Sequence, residues 1–213
     1  MNYIDLILLF FFYSFVGWIV EVLEGIINNR GFINRGFLVG PICPIYGVSC
    51  ISMLFLLKRY ENDYIILFLL GMVICTLIEY ITSLILEKIF NTRWWDYSDH
   101  KINLNGRVCL ETMLLFGISG ILLIKVFNPL TNLGLNIIPN NIKAIIVIVL
   151  SIIILIDLFF SIKVINYLKS NNLIKVSDCT KEVNKKVKDI LQKSGYMTKR
   201  LLKSFPLLKG KKD

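Results

Sequence analysis

The sequence predicts an all-α membrane protein. We expect a polytopic bundle of about five transmembrane helices with a broken second helix, followed by a basic amphipathic cytoplasmic tail. Of the 213 residues, 55% are hydrophobic and 18% are charged, and the mean hydropathy is +0.67. A soluble domain of this size would expose too much apolar surface. The apolar residues also gather into stretches of about 20, the length that crosses a bilayer as a helix.

Five apolar stretches meet this length, and the connections between them are short. Segment 128–141 contains two prolines and no acidic or basic residue, so it is predicted to be a loop. The transmembrane bundle is therefore assigned to residues 1–168 and the tail to residues 169–213. The predicted spans are Tyr3 to Ile27, Leu38 to Leu57, Tyr64 to Leu86, Val108 to Phe127 and Ile142 to Ile165.

The positive charge is concentrated at the end of the chain. From Lys163 to Asp213 there are fourteen Lys or Arg residues against four Asp or Glu residues. The basicity thus belongs to the tail and does not indicate nucleic-acid binding. Loops 28–37 and 87–107 are also basic, and five spans place both on the same side as the tail. Because basic loops stay inside, we predict a multi-pass cell-membrane protein with its N-terminus outside and its C-terminus cytoplasmic.

The tail has the pattern of an amphipathic helix. Its apolar residues Val183, Val187, Ile190 and Leu191 recur at helical spacing, and lysines fill the opposite face. Such a helix binds an anionic lipid surface. A solvated tail that only enforces topology remains the alternative.

Ionisable residues inside the predicted spans form the first group of candidate site residues. Each costs about 2.5–3.5 kcal/mol at the centre of a membrane helix, so each needs a reason. Helical rise places the acidic ones near one depth, on the cytoplasmic side, with two arginines as counter-charges and Glu79 with Arg107 as a possible pair. They either lock the helices together or line a cytoplasm-facing polar cavity. This cluster comprises Glu21, Arg35, Glu79, Arg107, Glu111 and Asp157.

The start of the second span is the second candidate element. Proline removes a backbone donor and glycine loosens the chain, and such a segment is tolerated at membrane depth only where protein or water covers it. Broken helices often line transporter sites, although a simple kinked entry with close glycine packing has the same sequence. The residues concerned are Gly40, Pro41, Cys43, Pro44 and Gly47.

Trp94, Trp95 and Asp96 in the third loop are the remaining candidates. Aromatic residues beside a membrane end are typical of the interfacial belt. The alternative is a loop folded over the mouth of a cavity, with Asp96 as a polar contact.

No metal, cofactor or catalytic site is predicted. The five cysteines contain no CxxC spacing, and His100, the single histidine, has no ligand partner at a metal-like spacing. The phosphate-loop pattern GxxxxGK[ST] does not occur, so ATP hydrolysis would need a separate subunit.

A weak internal repeat is also visible. WIVEVLE around Glu21 and LIEYITSLILE around Glu79 each end a span, and a loop containing Asn and Arg follows each. The first two helices and the next two are therefore interpreted as a duplicated pair.

Several of these strings resemble a bacterial family described as putative ABC-transporter type IV permeases, which has small animal transmembrane relatives. The resemblance covers the first four spans and part of the tail, and it implies a membrane permease without assigning catalytic residues. It is carried by YSFVGWIVE (Tyr13 to Glu21), NRGFLVGPICPIYG (Asn34 to Gly47), IEYITS (Ile78 to Ser83), WWDYS (Trp94 to Ser98), NGRVCLE (Asn105 to Glu111) and RLLKSFP (Arg200 to Pro206).

Three functions are compatible with the sequence. The first is a small permease, channel or transporter component, working with a separate ATPase subunit or a second copy of itself. The second is a non-transporting membrane scaffold or regulatory subunit whose charges only hold the helices together. The third, an intramembrane enzyme with paired carboxylates, is the weakest because no nucleophile–base pair stands out.

Overall fold

A computed structural model of the chain describes residues 2–27, 36–90 and 93–170, with the backbone alone for 164–170. Arg35 and tail residues 171–213 lie outside this description. The predicted all-α class is confirmed. The helices are α1 (Tyr3–Ile27), α2 (Pro44–Leu57), α3 (Tyr64–Phe90), α4 (Leu110–Leu122), α5 (Asn128–Ile137) and α6 (Asn140–Ser170).

Four helical segments in the described part of the chain are long and apolar enough to cross a membrane. Their outer faces carry large aliphatic side chains, such as Ile145, which is 62% exposed. A surface of this kind is stable only against lipid or another apolar partner. The chain is therefore a multi-pass membrane protein. The four segments are Tyr3–Ile27, Tyr64–Phe90, Leu110–Ile137 and Asn140–Lys163.

The second span is shorter as a helix than its apolar stretch. Helix α2 begins at Pro44 instead of Leu38 and contains 14 residues, which corresponds to about 21 Å of rise. Residues 36–41 form a series of bends, and residues 42 and 43 connect them to the helix. The predicted broken second helix is thus confirmed, and the break occupies the whole beginning of the span.

The prediction of a loop over 128–141 is wrong for most of that segment. A π-helical turn, Leu123–Phe127, joins α4 directly to α5, and the helix ends only at Ile137. Pro129 lies in the first turn of α5, where proline's missing N–H is tolerated. The wider π turn accommodates the change of hydrogen-bond register at this proline. Polar composition alone therefore did not break the helix.

The bundle is built from two antiparallel helix hairpins with α6 beside the first. Glycines let the helices approach closely in both hairpins. Gly17 of α1 faces the Tyr46 ring of α2, and a side chain at Gly71 of α3 would meet the backbone of α4 at Phe116 and Gly120. Helices α1 and α3 therefore end on the same side of the bundle.

The opposite end of the bundle is closed by an ion pair. Lys143, at the start of α6, lies 2.7 Å from Asp5, at the start of α1, and its side chain is only 6% exposed. This pair sets α6 parallel to α1. It also brings the later part of α6, including Asp157, to the side where α1 and α3 end.

Between α3 and α4 the chain forms a folded loop that ends in a short hairpin. Strand β1 (Asn103–Leu104) pairs antiparallel with β2 (Val108–Cys109). Asn105 and Gly106 make the turn with positive φ angles of 55° and 66°, the left-handed region that Asn and Gly tolerate best. Helix α4 begins immediately after β2, so the hairpin fixes the loop to the first turn of α4.

Candidate functional site

The broken segment 36–43 owes its shape to its own residues. Gly36 has a φ of 121°, which strains any residue with a side chain. Pro41 and Pro44 lack backbone donors and disfavour helix in the residue before each of them. Cys43 is extended and forms the N-terminal boundary of α2, with Pro44 in the first turn.

Asp157 of α6 satisfies the backbone of this segment. Its Oδ1 accepts a hydrogen bond from the Val39 amide at 2.9 Å, and its Oδ2 accepts one from the Gly40 amide at 2.7 Å. Ser161 donates a further hydrogen bond to Oδ1 at 3.3 Å. A side chain on Gly40 would lie 3.0 Å from Oδ2. Asp157, predicted as a member of the charge cluster, therefore holds the backbone of the break.

The start of α2 is fixed against α1. The Cys43 amide donates to the Ser14 carbonyl at 3.0 Å. Gly47, one turn into α2, is buried against Ser14 and Phe10, where a larger residue would overlap both. This close approach brings the side chains of the first turn of α2 to the last turns of α1.

Glu21 receives a tyrosine hydroxyl from α2. The Tyr46 hydroxyl donates to Glu21 Oε1 at 2.8 Å. Because Tyr46 also packs on Gly17, its ring is placed one turn below Glu21 on the same face of α1. Glu21 is thus directed into the bundle.

Glu79 receives a second tyrosine hydroxyl, from the loop. Tyr97 donates to Glu79 Oε1 at 3.2 Å, and its own backbone amide is held by the Gly106 carbonyl at 2.8 Å. Glu79 is 9% exposed, and its Oε2 is buried with no hydrogen-bond partner in the described residues. A buried carboxylate oxygen without a donor is energetically costly.

The two glutamate–tyrosine pairs form one acidic centre, defined by Glu21, Tyr46, Glu79 and Tyr97. The negative charge of Glu21 acts on both Glu79 and Tyr97. Burial raises the pKa of Tyr97 well above its usual value, and the negative charges of Glu79 and Glu21 raise it further. Tyr97 therefore stays a hydrogen-bond donor at every physiological pH.

The sequence suggested a pair between Arg107 and Glu79. In the structure, Arg107 pairs with Glu87 instead. Its Nη1 contacts Glu87 Oε2 and donates to Ser83 Oγ at 3.3 Å. Arg93 reaches the same carboxylate from the loop, with Nε 3.2 Å from Glu87 Oε1. Glu87 lies two turns beyond Glu79 on α3, so these two arginines bind nearer the membrane surface than Glu79.

Trp94 of the loop packs against the broken segment and is not part of an exposed aromatic belt. Trp94 is 6% exposed, and its ring lies 5.9 Å from Phe37 and 5.3 Å from Phe90. Trp95 Nε1 donates to the Arg107 carbonyl at 3.0 Å. Trp94 therefore joins the loop to segment 36–43 and to the end of α3.

Asp96 and Glu111 lie apart from the acidic centre. Asp96 Oδ1 accepts hydrogen bonds from both the amide and the hydroxyl of Ser98, which shapes the loop. The Glu111 side chain is 76% exposed, and its Oε2 lies 3.1 Å from Nδ1 of His100. The sequence-based placement of Glu111 in the bundle interior is not what the structure shows, because the first turn of α4 directs it outwards.

The sequence analysis missed the two tyrosines. Both lie within strings that it had singled out, Tyr46 in the broken segment and Tyr97 beside Asp96. A buried carboxylate needs a donor, and a tyrosine hydroxyl can supply one at membrane depth without adding charge. The signal was therefore available in residue type, although no spacing rule links Tyr97 to Glu79.

The comparisons with known proteins identify a family. The family model described as "Putative ABC-transporter type IV" matches residues 8–162. Neither the curated proteins nor the solved structures contain a significant match to the chain. The family match covers the break, the acidic centre and most of the bundle. This multi-pass membrane chain accordingly belongs to the family described as "Putative ABC-transporter type IV".

Proposed function

We propose that the chain is the membrane-spanning component of a transporter and that its acidic centre holds a polar or cationic solute. The side on which α1 and α3 end faces the cytoplasm in this proposal. The family description supports a transporter-type protein, and the acidic centre supplies the chemistry.

The observation that carries the proposal is the state of Glu79. One carboxylate oxygen is held by Tyr97, while Oε2 is buried without a donor in the described residues. Ionisable side chains within membrane helices are rare and costly, and they usually belong to functional sites. A proton, a water molecule or a cationic group on a solute would each supply the missing donor.

The surroundings of the centre fit a site that opens. Tyr46 stands in the first turn after the broken segment, and Tyr97 stands on the folded loop. Tyr97 lies on a loop and not in a long helix, so a small movement of the loop would uncover the Glu79 carboxylate. Trp94 links the two elements and would make them move together.

The energy source of such a transporter would be a separate ATPase subunit. The chain has no phosphate loop, and a bundle of this size would work with that subunit and with a second copy of itself. We assign no segment as the ATPase contact.

A scaffold is the second candidate, and specific contacts favour it. The charges of Arg107 and Glu87 are paired, Lys143 pairs with Asp5, and Asp157 is satisfied by backbone amides. These groups brace the bundle without any ligand. The scaffold hypothesis must then treat Glu79 as structural too.

Water access to Glu79 separates the two candidates. A membrane-impermeant carbodiimide with glycinamide converts an accessible carboxyl into an amide, which mass spectrometry locates. In sealed inverted vesicles we expect labelling of Glu79 and Glu21. Asp157, held by two amides, should stay unlabelled in the folded protein, and exposed Glu61, at the other end of the bundle, should react only in right-side-out vesicles.

Labelling of Glu79 from neither side would refute the transporter proposal and favour the scaffold. A Glu79→Gln variant controls for assignment of the labelled peptide. Unfolding the vesicle protein in detergent and denaturant must make all four carboxyls reactive, which verifies that the reagent can modify each of them.

A further inference from the structure

Three side chains with metal-binding atoms meet outside the acidic centre. They are His100, Cys109 and Glu111, whose ligand atoms all lie within 4.8 Å of one another. His100 Nδ1 and Glu111 Oε2 are the closest two, at 3.1 Å. The residues are nine and two positions apart in sequence, a pattern that no short motif describes.

Hydrogen bonds within the loop bring His100 close to Cys109 and Glu111. The His100 amide donates to the Tyr97 carbonyl, and the Leu110 amide donates to the Ile102 carbonyl. The side-chain Nδ2 of Asn103 donates a hydrogen bond to the His100 carbonyl at 2.8 Å. These contacts fold residues 97–103 back over the start of α4, where Cys109 directly precedes the helix and Glu111 lies in its first turn.

The geometry is close to that of a tetrahedral metal site. Ligand atoms at zinc distances of about 2.0–2.3 Å and tetrahedral angles lie about 3.3–3.6 Å from each other. The nitrogen–oxygen pair, at 3.1 Å, is slightly closer than this, and the sulfur, which lies within 4.8 Å of both, needs a shift of about 1.3 Å at most. Side-chain rotation of Glu111 can supply the rest because that side chain is largely exposed.

We propose that His100, Cys109 and Glu111 form a three-ligand site for a divalent transition-metal ion of the zinc class. Thiolate and imidazole ligands favour such ions over magnesium or calcium, which prefer oxygen. A thiolate and a carboxylate together neutralise the charge of the ion. Three protein ligands leave a fourth position open to water or to a further ligand.

The ion would fix the loop that supplies Tyr97 to Glu79. The imidazole ring of His100 lies 5.6 Å from the ring of Tyr97, edge to face. Metal binding joins His100 to α4, so it restrains the loop next to the acidic centre. The site is argued from its own ligands and does not depend on the proposed transport function.

The test uses the full-length protein in detergent, purified without a histidine tag, in a Cys179→Ser background that removes the tail thiol. After treatment with a chelator, the protein is titrated with Co²⁺, and the bound metal is counted by mass spectrometry. We expect one ion per chain, with the visible bands of tetrahedral cobalt and a thiolate-to-metal charge-transfer band. A second titration uses Cu²⁺ in place of Co²⁺. The chain has one histidine, so an imidazole signal from the bound Cu²⁺ can come only from His100.

Cys109→Ser should abolish the charge-transfer band and keep the helix start, because serine is a favoured residue at that position. Glu111→Gln, at an exposed position, should weaken Zn²⁺ binding by more than about tenfold, since even outer-shell changes cost about 10–100-fold. Cys43→Ser, at the corresponding position before α2, is the matched control and should bind Co²⁺ as before. Absence of the band from the parent protein, or its persistence in Cys109→Ser, would overturn the proposal and leave a His100–Glu111 ion pair only.

Discussion

At the scale of single residues, the structure assigns different tasks to side chains that look alike in sequence. Asp157 and Glu79 are both acidic residues inside apolar helices. Asp157 accepts two backbone hydrogen bonds from the break, whereas Glu79 keeps one oxygen without a donor in the described residues. The first arrangement stabilises the fold, and the second is the one that the proposed function assigns to a ligand.

Asp157→Ala should destabilise the protein by about 3 kcal/mol, because two hydrogen bonds to a charged acceptor are lost and two amides are stranded. Asp157→Asn should cost less, since one acceptor oxygen remains. Ser161→Ala removes only the 3.3 Å contact to the same carboxylate and should cost less than about 1 kcal/mol. Denaturant unfolding in detergent measures all three, and equal losses for Asp157→Ala and Ser161→Ala would contradict this role.

Tyr97 should make stability fall at alkaline pH. Its pKa is raised above the usual value of 10.0 by burial and by the nearby Glu79 charge. The unfolded tyrosine loses its proton near pH 10 while the folded one keeps it, so the stabilisation is complete below pH 10 and is lost as pH rises beyond it. Tyr97→Phe should flatten the decline of the unfolding free energy above pH 10, and an unchanged slope would argue against a buried hydroxyl.

A double-mutant cycle should detect an interaction free energy between Arg107 and Glu87. Removing one partner alone leaves a partly buried charge without its counter-charge, so each single variant, Glu87→Gln and Arg107→Met, should lose stability. The combined variant should recover about 1 kcal/mol or more relative to additivity. Glu79→Gln combined with Arg107→Met is the matched comparison and should be additive, because Glu79 is bonded to Tyr97 whereas Arg107 is bonded to Glu87 and Ser83. Coupling there and additivity at Glu87 would reverse the assignment.

At the scale of elements, the two hairpins follow one plan. In each, a helix with a glutamate in its second half is followed by an irregular segment, a buried cysteine and a new helix. Cys43 precedes α2 and Cys109 precedes α4. A tyrosine hydroxyl reaches the glutamate in both, from α2 in one hairpin and from the loop in the other. This parallel supports the duplicated pair that the sequence suggested, with the longer loop as the main difference.

Gly120→Ala should weaken the second hairpin. The added methyl group would lie 3.0 Å from the Leu67 carbonyl and 3.2 Å from Gly71 Cα, and these backbone atoms cannot move without separating α3 from α4. We expect a loss of about 1–3 kcal/mol. Gly134→Ala, in α5 with nothing within 4 Å of the new group, should instead raise stability by about 0.5–1 kcal/mol through helix propensity. Thermal unfolding in detergent compares the two, and a neutral Gly120→Ala would refute the close packing.

At the scale of the whole molecule, the fold puts the broken segment, the folded loop and the end of α6 at one end of the bundle. The start of α1, the turn after α2 and the connection between α5 and α6 lie at the other end. The tail, from residue 171, lies outside the described residues, and its binding to anionic lipid remains a prediction. The same holds for its cytoplasmic location.

Reporter fusions should fix the orientation. We expect fusions after Lys58 and after Pro139 to report outside, and fusions after Arg93 and after Lys175 to report inside, because the basic loops stay cytoplasmic. The junction at Pro139 avoids α5, which the structure extends to Ile137. A cytoplasmic signal at Pro139 would contradict the model of five crossings.

The sequence by itself determined the membrane class, the beginning and end of α1 and the position of the break. Apolar length and the rigidity of Pro41 and Pro44 are local properties, and they act wherever the chain is placed. The length of the α4–α5 segment was not predictable in the same way, because no sequence pattern shows that a π turn would join α4 to α5 before Pro129.

Only the tertiary structure decided which charged residues meet. Helical spacing could place Glu79, Glu87 and Arg107 near one end of the bundle. Two turns of α3 separate the two carboxylates, however, and the conformation of the loop brings Arg107 to Glu87. The same fold directed Glu111 outwards to His100. Contacts between side chains far apart in sequence depend on the conformation of the loop that connects their helices. Packing and backbone hydrogen bonds set that conformation, and a local sequence pattern does not predict them.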